Sequence, residues 1–251
     1  MRHSSAAITS LVGIGALILA GAGVPVGAQS GTVQTWLRVD TVQVKPEMWT
    51  EYREIERDEV IPALRKAGVG FRAAWRTAEF GSTYELVLVR PVSDFGEYDT
   101  GDSFSKGLAP REAERLRERL RRCLLGRESA AILQRSDLSV GETGRPFALV
   151  TTLTVAPGRS GEYDAFLRET LPAIKKAGIV IGVYQRIYGH EAAWLLVQNL
   201  DSLRELAQPG GLFRAFGQEG ADDLIGRLSG IVTSVDRKVL RFDPELSFSP
   251  Q

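Results

Sequence analysis

The first β-branched run of the chain carries an arginine and an aspartate two residues apart, Arg38 and Asp40. In an extended strand such positions share a face, so the guanidinium and the carboxylate lie within reach of each other. The pair is either a local salt bridge or a clamp for a charged ligand, and the ordinary pairing of buried charges favours the bridge. A second acid, Glu59, lies in the helical pattern that follows. At about 100° per residue, Trp49, Tyr52, Ile55, Val60 and Ala63 form one broad apolar face, and Glu59 falls between Tyr52 and Ile55. A carboxylate there is either paired or lines a cavity, where burial would raise its pKa and suit it to acid–base work. Arg76 could neutralise it or grip an acidic ligand through two nitrogens. Trp75 and Tyr84 stand nearby, although core packing explains most aromatics. The candidate ligand-binding set is therefore Arg38, Asp40, Glu59, Trp75, Arg76 and Tyr84, with Glu59 and Arg76 the candidates for catalysis.

Other chemistries find little support. His190 is the one histidine beyond the N-terminal segment, and it sits at a Gly-His turn. No His/Cys cluster offers a metal site, and no G-x-S-x-G, HExxH or phosphate-loop pattern occurs. Gly68 to Phe71 is too short for a nucleotide loop, and the arginines of Arg111 to Arg122 alternate with glutamates as on a solvated helix face. No cofactor is implied by these patterns. With 31 basic and 31 acidic residues, the chain lacks the basic excess of a nucleic-acid binder. The lone Cys123 cannot form an internal disulfide and reads as a packing residue.

The elements that must position these residues come in two copies. IPALRKAG (Ile61 to Gly68) returns as LPAIKKAG (Leu171 to Gly178). Val44-Lys45-Pro46 matches Val155-Ala156-Pro157, Glu51-Tyr52 matches Glu162-Tyr163, and Glu59 and Arg76 match Glu169 and Arg186. RSDLS (Arg135 to Ser139) echoes RFDPELS (Arg241 to Ser247). The unit spans about 105 residues. Each copy reads as a strand, a proline break, a helix stopped by Gly68 or Gly178, a two-stranded hairpin, a second helix and a last strand. The second helix is expected over Arg111 to Leu125 in one copy and near Asp222 to Leu228 in the other. Between Tyr and Pro the first helix of copy one holds ten steps and that of copy two nine. The extra residue is absorbed either as a π-bulge or, the plainer reading, by ragged ends. On the first strand, Leu149 and Thr151 stand where copy one has Arg38 and Asp40, so polar chemistry is expected in copy one.

The order βαββαβ is the ferredoxin-like arrangement. A single such sheet leaves one face bare, and a second copy can cover it. The fold class is thus α+β, with two tandem units, 33–140 and 145–246, packed sheet to sheet. Residues 1–28 read as a cleaved signal peptide: Arg2 and His3, an apolar run, then Val26-Gly27-Ala28 at the cut. A secreted or periplasmic protein without stable membrane insertion is expected.

A strand, a proline, a helix ending in P-x-(I/L)-(R/K)-K-A-G and a hairpin resemble the dimeric α/β-barrel superfamily, which includes NIPSNAP-like and antibiotic-biosynthesis-monooxygenase-like families. The resemblance implies two ferredoxin-like units forming a joint barrel, often with a pocket between sheet and helices. It also implies a range of activities: cofactor-free monooxygenases, isomerases, haem enzymes that need an axial histidine in the pocket, and proteins without known activity. His190, at a turn, is poorly placed for haem. The resulting expectation is a small-molecule binding protein. A cofactor-independent monooxygenase or isomerase using Glu59, Trp75 and Arg76, and an interaction protein without a pocket, are the alternatives.

Overall fold

The computed structural model describes residues 34–141 and 144–249; the expected signal peptide and its cut lie outside them. The first unit runs β1 (Trp36–Val44), α1 (Trp49–Ile55), a π-helical turn (Glu56–Val60), α2 (Ile61–Lys66), β2 (Ala73–Thr77), β3 (Glu85–Val92), α3 (Pro110–Cys123) and β4 (Leu124–Gln134). The second runs β5 (Phe147–Val155), α4 (Ser160–Lys176), β6 (Ile181–Tyr188), β7 (Ala193–Leu200), α5 (Gly211–Arg227) and β8 (Val232–Phe242). Helix α5 is longer than its apolar pattern suggests. It bends at Gly217 (φ 72°); its fully buried residues, Ala221 and Leu224, follow the bend, while Leu212 and Phe216 before it are partly buried against the same core.

All eight strands close one barrel in the order β1-β3-β2-β8-β5-β7-β6-β4. Each unit supplies a four-stranded ferredoxin-like sheet, and the inner faces meet across the barrel as the duplication requires. Two seams complete it. Strand β2 pairs with β8 (Trp75 opposite Phe242), and β4 pairs with β6 (Leu133 opposite Gln185). Closure leaves no unpaired sheet edge to recruit another chain. At the second seam a Cβ on Gly189 (φ 113°) would lie 2.7 Å from the Ser129 carbonyl oxygen, so only glycine allows that approach.

Period-2 alternation then divides the interior. On β1, Leu37 and Val39 point into the barrel, while Val42 and Val44 point to the helices. The outer core of unit one gathers Val42, Val44, Tyr52, Ile55, Val60, Leu86, Leu116 and Cys123. That of unit two gathers Leu153, Tyr163, Phe166, Val183, Trp194 and Leu224. Cys123 is fully buried and donates to the Arg119 carbonyl, as its packing role requires.

The RSDLS and RFDPELS echo has a structural meaning. Leu138, which follows unit one's last strand, packs in unit two's core, and Leu246, which follows unit two's last strand, packs in unit one's. Ser139 Oγ accepts from the Val183 amide at 2.9 Å, and Ser247 Oγ accepts from the Ala74 amide at 2.8 Å. Asp243 holds Arg53 of α1, while Asp137 accepts from Arg168 of α4 at 2.6 Å. Each unit therefore ends in a clasp inserted into the other.

Candidate functional site

Arg38 and Asp40 meet on the helix-facing side of β1. Nε reaches Oδ2 at 3.0 Å and Nη2 reaches Oδ1 at 3.0 Å. Asp40 also takes Arg127 Nη2 at 3.2 Å and the Ser129 hydroxyl. Burial pushes the Asp40 carboxyl up, but Arg127, Arg38 and Ser129 together outweigh it and hold the group below the usual carboxylate range. Beside this pair, Arg90 donates to Glu97 and to the Tyr98 hydroxyl, both at 3.0 Å. The buried Ser103 hydroxyl has no partner among the described residues. A void of about 60 Å³ remains between these groups, room for a few waters.

The π-helical turn corrects the reading of the first helix. The extra residue is absorbed inside the helix, not at its ends. The wider turn slips the helix phase, so Val60 points inward at 4% exposure and the Glu59 side chain turns outward at 37%, paired with Arg119. The buried acid of this helix is Glu56. It accepts from the Tyr52 hydroxyl at 2.8 Å and from Arg72 Nη1 at 2.6 Å, and Arg72 also donates to the Leu246 carbonyl of the clasp at 2.9 and 3.1 Å. The one available signal was the ten-step against nine-step count, which shows where a phase slip can occur.

The other candidates separate. Trp75 points into the barrel, while Arg76, the next residue, faces the opposite side and is exposed. Tyr84 is at the surface in the left-handed region (φ 60°), its ring edge-on to Trp49 at 5.6 Å. Arg76 and Arg186 are not equivalent either. The matching clasp contacts align Ala74 with Val183, so Arg76 aligns with Gln185, and Arg186 points into the barrel. The structure thus joins Arg38 to Asp40 and leaves Glu59, Trp75, Arg76 and Tyr84 in different places.

The larger space is inside the barrel, a cavity of about 260 Å³ walled by both units. Its body is apolar: Leu37, Val39, Val87 and Ile132 from unit one face Val150, Leu195, Val197 and Leu240 from unit two, with Trp75 at the side. Every neighbouring pair in the ring is antiparallel and β5 lies four places from β1, so β1 and β5 run the same way. Thr41 and Thr152, near their C-terminal ends, therefore mark one end of the barrel. Glu128 stands opposite Thr41, and Asp236 opposite Thr152. Arg186, His190 and Lys238 complete the polar lining. Two of these side chains already have partners: Lys238 Nζ lies 3.0 and 3.2 Å from the Glu85 carboxylate, and His190 Nε2 lies 3.1 Å from Glu128. Tyr184, also in the wall, is buried with its hydroxyl unpartnered among the described residues. Burial pushes its phenol well up, so it remains a proton donor. Its ring lies across Gly182, where a Cβ would come within 2.9 Å of the ring. Sequence reading missed this cavity because its wall is drawn from all eight strands. The alternation Leu37-Val39-Thr41 and Ala148-Val150-Thr152 marked only the inward faces.

This architecture matches solved structures. An anthrone oxidase-like protein aligns with 83% of this chain and 91% of its own, at 11% identity and a TM-score of 0.55. Chlorite dismutase from Candidatus Nitrospira defluvii, in complex with imidazole, aligns over 84% and 92%, at 11% identity and a TM-score of 0.53. The chain has the dimeric α/β-barrel fold. No protein-family profile matches it. No curated protein matches it either. Fold alone does not carry an activity from one dimeric α/β barrel to another. The one histidine among the described residues, His190, is half-exposed at the barrel rim and paired with Glu128, which does not suit it to be a buried haem ligand. No grouping of three metal-ligating side chains occurs among the described residues.

Proposed function

We propose that the protein binds a small, largely apolar molecule inside the barrel. The observation that supports this is the largely apolar cavity inside the barrel with a polar lining at one end, the combination usual in small-molecule sites. An oxygenase or isomerase built on Glu59, Trp75 and Arg76 would need these groups around one reacting atom, and they face three different spaces. The helix–sheet space of unit one is smaller, and its buried charges are already paired with one another.

A thermal-shift screen of small hydrophobic compounds against the wild type and Val150→Trp tests the reading. Compounds at a hundredfold excess over their Kd should stabilise the wild type by about 2.7 kcal/mol and should not stabilise the filled variant. A screen without ligands, or ligands that stabilise both proteins equally, would overturn it.

We also propose that the chain is exported and that the mature protein begins at Gln29, a reading supported by the apolar run and the Val26-Gly27-Ala28 site. N-terminal sequencing of the protein from the periplasm or medium tests this; a retained Met1 would refute it.

A further inference from the structure

We infer that the barrel ligand is a small monocarboxylate, its acid group held by Arg186 at the polar end and its body in the apolar cavity; this rests on the barrel reading above. Arg186 lies on the inward face of β6 at the polar end of the cavity, while the Tyr184 ring on the same face turns the other way, over Gly182. Arg186 Nε donates to the Glu191 carbonyl at 2.8 Å, which orients the guanidinium. Among the described residues, no carboxylate lies within salt-bridge distance of it, whereas Lys238 and His190 already face Glu85 and Glu128. Arg186 is thus the cation of this lining that is left for a ligand, and two guanidinium nitrogens match the two oxygens of a carboxylate.

The charge should be single. Glu128 and Asp236 share the lining and would repel a second negative charge. Asp236 is the acid there without a cation partner, but it is exposed, and solvent screens it. An anion at Arg186 is therefore favoured over a cation at Asp236. Size narrows the class further. A dry cavity of about 150 Å³ holds benzene, so 260 Å³ suits a one- or two-ring acid or a medium-chain aliphatic acid.

Paired probes separate this inference from the reading beneath it. Benzoate and 2-naphthoate, each beside its neutral amide, would be titrated calorimetrically into the mature protein. At least one acid should bind at least tenfold more tightly than its amide. Arg186→Gln should abolish that preference and leave amide binding in place, which also shows that the variant is folded. Equal binding of acid and amide by the wild type, or a preference that survives Arg186→Gln, would overturn the carboxylate assignment and leave the cavity reading standing. Failure of all four probes would overturn both.

Discussion

Glu56 and Arg72 form an ion pair at 2.6 Å across the interface between the first helix and β2, with side-chain exposures of 5% and 3%. The π-helical turn starts at Glu56, and the guanidinium also reaches the clasp from the opposite unit. Removing one partner of such a pair strands the other charge. Glu56→Gln should cost about 3–5 kcal/mol in urea denaturation, whereas Glu59→Gln should cost under about 1 kcal/mol because its arginine partner is solvated. Unit two has Leu167 and Ile181 at the corresponding places. The double variant Glu56→Leu/Arg72→Ile should therefore recover most of the loss. If Glu59→Gln were the more damaging variant, this account of the helix phase would be wrong.

The clasps should behave as parts of the unit they enter. Leu138 and Leu246 are 1% and 0% exposed. Each leucine-to-alanine change should cost about 2–5 kcal/mol. Truncation after Phe242 removes Leu246 and Ser247, so amide exchange should accelerate in α1 and β2 of unit one before it does in α4. Faster exchange confined to unit two would contradict the exchange of clasps.

Acid should unfold the protein through Asp40 on β1 and Asp137 in the clasp that unit one inserts into unit two. Asp40 is held below the ordinary value, and Asp137, bonded first to Arg135 and then to Arg168, is lowered to about 2. A depressed folded-state pKa means that the unfolded chain takes up the proton first as pH falls. The stabilisation is thus complete above the unfolded value near 4 and is lost as pH drops toward 2. Urea midpoints measured from pH 5 to 2 should fall steeply in the wild type and less steeply in Asp40→Asn, which starts from a lower stability. Equal slopes would show that Asp40 makes no contribution.

Asn199 offers the opposite test. It is 4% exposed on the inward face of β7, and neither side-chain polar atom has a partner among the described residues. Asn199→Leu keeps the volume close and removes two unsatisfied groups, so stability should rise by about 1–3 kcal/mol. A fall in the melting temperature would reveal a polar partner at that site.

What the sequence determined by itself is the local and the repeated. Strand alternation placed Arg38 and Asp40 together, because i and i+2 share a face whatever the strand pairs with. Paired prolines, glycine stops and the duplicated phrase determined two βαββαβ units, because such signals act within a few residues of themselves. The tertiary structure decided what depends on residues far apart in the chain. A single added residue could slip the helix phase or fray its ends, and packing against Arg72 accompanies the slip that buries Glu56 and turns out Glu59. The echo of RSDLS in RFDPELS was visible as a repeat, but its role as a clasp depends on the opposite unit's core. The cavity could not be read along the chain at all. Its wall alternates between units at two seams, and only the closed ring brings Leu37 and Ile132 of one unit against Tyr184 and Leu195 of the other.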